Sequence, residues 1–223
     1  SVDILGEGRL LQVYTEKESG RLFADEWLNI QNIPKEMRYI AMGGVGYYEY
    51  DIENAHYNFL YQLNKMFLGS PLDGIGGYIR DTYGVRNSIA TDTGLPYSVV
   101  KRILLSMIYG ASISQKHTYN DNTHSTDDNS IMKVLLDFAD ENRNVADDLW
   151  NEVIANKWIA EIFDNINRAK KTFRKSWVIK KKAGRNYLVN PFQKLIAMEE
   201  KDGSKKSVNK LMAHMLLGIE ASI

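Results

Sequence analysis

Apolar positions repeat with two different periods along the chain. Over Gly46 to Ile52, GYYEYDI, aromatic and acidic residues alternate, the pattern of a strand with one buried face. Directly after it Ala55, Phe59, Leu60, Leu63, Met66 and Phe67 recur three and four apart, which predicts a helix with Asn54 as its N-cap and Gly69 as its stop. Asp51 therefore falls near the carboxyl end of a strand and just before a helix, a place where α/β arrangements commonly bind ligands. A second helix is predicted from Pro96, which suits a first helical turn, through SVVKRILLSMIYG to Gly110. On it Tyr97, Lys101, Leu105 and Tyr109 share a broad side, while Ile103, Leu104 and Met107 point elsewhere and can pack inward. One face can anchor the helix while another presents a Lys and a Tyr.

Farther along, Gln115 to Asn129 is rich in Asn, Thr, Asp and Ser and is predicted to be a mobile loop. Helices are predicted to resume from Ser130 to Lys171, and Trp177 to Asn190 reads as a hairpin turning near Ala183-Gly184. Val208 to Ile223 reads as a mostly apolar, buried helix. The chain has no internal repeat and no long low-complexity linker.

With 223 residues, 44% hydrophobic and 25% charged, the chain can bury a core and suits one large domain or two small ones. No run approaches a membrane span, and Ser1 to Leu10 has no secretory pattern, so the expected compartment is the cytoplasm, the host cell's for a viral chain. The absence of cysteine excludes a disulfide frame, a zinc-thiolate site and thiol catalysis. The formal net charge is zero, yet from Asn165 to Met198 there is no Asp or Glu. That stretch carries Arg168, Arg174, Lys175, Lys180, Lys181, Lys182 and Arg185 with Phe173, Trp177 and Tyr187 among them. It suits a face that tracks phosphates; a solvated helix end and hairpin is the alternative.

Four segments, in order, resemble the motifs shared by family A DNA polymerases and the phage- and mitochondrial-type single-subunit RNA polymerases. Thr15-Glu-Lys-Glu-Ser-Gly20-Arg21 with Leu28-Asn29-Ile30-Gln31-Asn32-Ile33-Pro34 resembles the template-contact box. By that resemblance Arg21 and Gln31 are template-binding, a guanidinium forking onto phosphate or a groove acceptor. Tyr50-Asp51-Ile52-Glu53-Asn54-Ala55-His56 is similar to motif A, which implies that Asp51 and the Ile52 carbonyl bind magnesium, Mg2+, for two-metal phosphoryl transfer. An Asp that caps the following helix is the alternative for Asp51. Glu53 is expected to be an exposed acid.

Val100-Lys101-Arg102-Ile-Leu-Leu105-Ser-Met-Ile-Tyr109-Gly110 resembles motif B. The resemblance implies that Lys101 grips the incoming triphosphate and that Tyr109 sits against its sugar and base. The family's Arg four residues before the Lys is Tyr97 here, and Arg102 could substitute only on a rotated helix. His56 stands where the DNA polymerases have a Glu that blocks a 2'-hydroxyl and the RNA polymerases a small residue; it matches neither, and a packed or solvated histidine is the alternative reading. His214-Met-Leu-Leu-Gly218-Ile-Glu220-Ala-Ser222-Ile223 resembles the helix preceding motif C, whose His-Asp hairpin carries the second metal-binding Asp. The chain stops before that hairpin, and Glu220 is not expected to replace it.

The resemblance implies an α+β, polymerase palm and fingers-like fold, a small antiparallel sheet with a predominantly helical fingers subdomain. Its parts would be residues 1–70 with the template box and motif A, 71–175 as fingers with motif B, and 176–223 as hairpin and C-terminal palm helix. The implied activity is DNA-directed RNA polymerase, a nucleotidyltransferase of transcription. Its partners would be a DNA template, nucleoside triphosphates, nascent RNA and, if motif C is supplied in trans, a second polypeptide. Arg174, Lys175 and Arg185 are the further candidate template contacts. A family A-like DNA polymerase and a noncatalytic nucleic-acid-binding subunit on the same scaffold are the rival readings, and the chain alone is expected to be inactive.

Overall fold

The computed structural model describes residues 53–113, 130–191, 193–200 and 202–220, with short pieces nearer the start at 4–5, 9–10, 13–16, 22–24, 34 and 36–37. The predicted strand over 46–52 and the predicted loop over 115–129 lie outside the described residues. Two small antiparallel hairpins stand in the early part: β1 (Ile4–Leu5) pairs with β2 (Arg9–Leu10), and β3 (Tyr14–Glu16) with β4 (Leu22–Ala24).

Among the described residues the rest is mixed α+β and mostly helical. In order come α1 (Ala55–Met66), α2 (Asp73–Arg80), α3 (Thr82–Thr93), α4 (Tyr97–Ile108), α5 (Ile131–Phe138), α6 (Arg143–Ala155), α7 (Lys157–Ser176), then β5 (Val178–Lys182), β6 (Arg185–Val189), β7 (Leu195–Ala197) and α8 (Val208–Glu220).

The helix ends follow from capping chemistry. The side chains of Asp81, Ser130, Asn142 and Asn156 accept backbone N–H groups at the starts of α3, α5, α6 and α7, each occupying a donor that has no partner within the helix. Asn156 alone separates α6 from α7, and its amide also donates to Asp92 at 3.0 Å. Helix α4 starts after Pro96, as its sequence predicts, and its last residue is Ile108 with Tyr109 as C-cap, two short of the expected Gly110.

Its inward residues Ile103, Leu104 and Met107 are fully buried, each contributing roughly 1.5–3 kcal/mol by removal from water. They belong to one apolar core that runs from Tyr57 on α1 to Ile219 on α8, continuous across the three segments drawn from the sequence.

The predicted hairpin forms with β5 and β6 antiparallel, Lys182 facing Arg185 across the turn. Ala183 (φ 47°) and Gly184 (φ 79°) both adopt positive φ, the pairing that matches a two-residue turn to strand twist. A third strand, β7, adds to β6 with Leu188 opposite Ile196, and these two residues seal the sheet onto the core. β5 is the outer strand and is exposed along its whole length.

Candidate phosphate-binding cavity

Asn54 takes the N-cap place expected of it, but with a left-handed backbone (φ 51°) and no capping bond from its side chain. Asn tolerates that conformation better than most residues. Its amide instead joins three elements. Nδ2 donates to Thr82 Oγ1 at 2.5 Å, and Oδ1 accepts from the Tyr78 hydroxyl at 3.1 Å and from Arg86 Nη2 at 2.6 Å. The start of α1, and with it the segment that directly follows Asp51 and Ile52, is thereby tied to α2 and α3.

Around this junction lies a cavity of about 390 Å³ lined by Glu53, Asn54, His56, Arg86, Lys101 and Glu220, among others. Five elements or their flanks build it: α1, α2, α3, α4 and the last turn of α8. Lys101 is on the exposed side of α4 and Glu53 is exposed, as expected. His56 is buried; the Tyr109 hydroxyl is 3.1 Å from its Nδ1 and 3.3 Å from its Nε2, and the ring tautomer decides which nitrogen takes part. His56 Nε2 is also 3.5 Å from Glu220 Oε2. Tyr109 thus meets the cavity through His56.

Helix α8 packs against α1 and delivers Glu220, which the sequence does not mark as a counterpart of the motif C carboxylate, to this cavity. Its other end is fixed by Asn209, whose amide donates to the Gly110 carbonyl at 2.9 Å. Gly110 has φ 90°, and a Cβ there would sit 2.5 Å from Asn209 Cβ and Cγ, so glycine is required by both backbone and close approach.

Arg86 is the principal site residue that the sequence left unmarked. Besides Asn54, its guanidinium donates through Nε (2.8 Å) and Nη2 (2.5 Å) to the Tyr78 hydroxyl and through Nη1 (3.3 Å) to the Tyr97 hydroxyl. The guanidinium carbon stands 5.4 Å and 5.7 Å from the centres of those two tyrosine rings, within cation–π range. Tyr97, the position at which the resembled motif has an arginine, therefore holds an arginine from the preceding helix. The available signal was a charged residue in the buried stripe Thr82, Val85, Arg86, Ile89, Thr93 of α3. Burial disfavours charge on Arg86, but the hydroxyls of Tyr97 and Tyr78 outweigh it and hold the guanidinium protonated. Burial pushes the Tyr78 phenol above its usual value against the pull of Arg86, so at neutral pH that partner is uncharged.

The remaining expected site residues are not gathered here. Arg102 points away from the cavity: its Nη2 is 2.8 Å from Asp137 Oδ2 on α5, and α4 is not rotated in the way that a phosphate contact would need. Arg174 and Lys175 occupy the last turn of α7, where Arg174 borders a second cavity of about 370 Å³ with Trp177, Ile179 and Lys206. Arg185 on β6 opens onto a recess that also contains Glu199, Glu200 and Asp202, a mixed rather than a basic surface. Within the basic run Arg168 is paired with Asp164 at 2.8 Å. Arg21, Gln31, Asp51 and Ile52 lie outside the described residues.

Among the described residues no three His, Asp or Glu side chains converge to hold a metal ion, and no helix is long and apolar enough to cross a membrane. Compared with known protein families, curated proteins and solved structures, the chain matches none.

Proposed function

We propose that the chain is a core part of a template-directed nucleotidyltransferase, DNA-directed RNA synthesis being the favoured activity, and that the cavity receives the nucleoside triphosphate. The observation that carries this reading is the shared cavity itself. Lys101 from the motif B-like helix lines it together with Glu53 and Asn54, two and three residues after the motif A-like Asp51. Those two segments are well separated in sequence, and a polymerase needs them on one site.

The division of labour follows from charge. Lys101 is a mobile point charge suited to a phosphate chain, and the fixed fork of Arg86 adds a second cation at the same wall. Glu53 and Glu220 line the cavity and offer hard oxygen donors of the kind magnesium prefers. Asp51 and the Ile52 carbonyl would be its main ligands. Bound there, Mg2+ would offset the charge developing on the transferred phosphoryl group. The hydrogen-bonded His56 and Tyr109 pair would meet the sugar, where imidazole can exchange a hydrogen bond with a 2'-hydroxyl.

The test is nucleotide incorporation on a DNA template by the chain supplied with a segment or partner carrying a His-Asp hairpin. Ribo- and deoxyribonucleoside triphosphates are compared. Incorporation should require Mg2+, fall at least about 100-fold in Asp51→Asn and fall roughly 10-fold or more in Lys101→Ala. Template binding without incorporation would overturn the enzyme reading in favour of a noncatalytic nucleic-acid-binding subunit. That second reading draws support from the fully exposed β5, which sets Lys180, Lys181 and Lys182 in solvent.

A further inference from the structure

Arg86 is only 7% exposed, and among the described residues its guanidinium hydrogen-bonds neutral groups alone: two tyrosine hydroxyls and one amide oxygen. No carboxylate of the described residues pairs with it, although ion pairs elsewhere engage Arg102, Lys133, Arg143, Arg168 and Lys210. A buried cation without a counter-charge is costly to maintain unless something supplies the missing anion. The neutral partners satisfy geometry, but among the described residues none of them brings a formal negative charge. Of the five guanidinium N–H donors, one on Nη1 meets no acceptor among the described residues. The residue lines the cavity, and so does Lys101, for which no ion pair is present among the described residues.

We infer that Arg86 is the buried half of a two-cation anion site, and that its ligand is a polyphosphate rather than a single phosphate because the second cation, Lys101, comes from a different helix. The acids that share the cavity, Glu53 and Glu220, repel a bare anion and favour one accompanied by a divalent cation. The inference rests on reading the cavity as a phosphate site; it does not require that the chain polymerise nucleotides. Tyr78, Tyr97 and Asn54 are positioning residues that aim the guanidinium. In the resembled motif the arginine would come from α4 itself, so the assignment to α3 is specific to this chain.

The experiment is thermal unfolding and calorimetric titration of the intact chain with inorganic tripolyphosphate and Mg2+, with orthophosphate and sodium chloride of matched ionic strength as controls. Tripolyphosphate should raise the melting temperature by about 3 °C or more at saturating millimolar concentration, and orthophosphate should not. Arg86→Gln should bind at least about 10-fold more weakly and, because it also removes the hydrogen bonds to Tyr78, Tyr97 and Asn54, should melt lower without ligand. Tripolyphosphate binding unchanged in Arg86→Gln would overturn the assignment, as would the absence of any response in the unsubstituted chain. Should Arg86→Gln fail to fold, Lys101→Gln decides from its exposed position: a response weakened about 10-fold supports the site, and an undiminished one overturns it. Tripolyphosphate binding that depends on Arg86, with no nucleotide incorporation, would retain this site while removing the polymerase reading.

Discussion

Asn54 shows how one side chain can be worth more as a junction than as a cap. Its amide engages Thr82, Tyr78 and Arg86 from a left-handed backbone, so alanine loses both the contacts and the conformational tolerance. Asn54→Ala is expected to lower unfolding stability by about 2–4 kcal/mol, from lost bonds to a charged group and left-handed strain, as read by urea denaturation. Asn54→Asp makes a sharper comparison. It keeps the backbone preference and sets a carboxylate against Arg86, so the ligand-free chain should melt higher while tripolyphosphate binds more weakly. A lower melting temperature with unaltered binding would count against the view that Arg86 lacks a counter-charge. Burial likewise keeps the Tyr57 phenol well above its usual value, its hydroxyl donating to the Leu104 carbonyl at 2.6 Å.

Helix α4 divides its cations between two tasks. Lys101 faces the cavity, whereas Arg102 joins Lys133 around Asp137 and fastens α4 to α5. The Lys133 hydrogen bond holds the Asp137 carboxyl below its usual value, with burial opposing and Arg102 assisting. A carboxylate depressed in the folded state adds stability above its unfolded pKa of about 4 and loses it as pH falls through the lower folded value. Asp137→Asn should therefore cost about 0.5–1 kcal/mol at neutral pH, since the cluster is partly exposed, and nothing in strong acid. Equal urea midpoints at neutral pH would refute this. The bounds of α1 and α4 and the turn at Ala183-Gly184 were legible in the sequence because periodicity, proline and turn chemistry act locally. β7 was not, since the three residues Leu195–Ala197 are too short to show alternation and form a strand only because β6 offers an edge. Arg86 and Glu220 were not assigned because their meeting with Lys101 depends on how helices pack, which spacing along one helix does not report.

At the scale of the whole molecule a single core joins α1 to α8, while the neutral overall charge conceals local separation. The cavity mixes two cations with two acids, and β5 carries Lys180, Lys181 and Lys182 on a strand with no buried residue. Replacing those three lysines with glutamine should leave the melting temperature unchanged. If β5 contacts nucleic acid, the replacement should lower the slope of log affinity for duplex DNA against log salt by about 2–3. An unchanged slope would remove the hairpin from the nucleic-acid path and leave the cavity unaffected. The contact between Arg86 and the Tyr97 hydroxyl has a wider implication. The arginine at this wall is not written in α4, which supplies only Lys101, so register in the alphabet and position in space have come apart. A pattern keyed to residue spacing on α4 passes over chains built this way. One that asks for an arginine on the helix before, facing an aromatic hydroxyl on this one, would retain them.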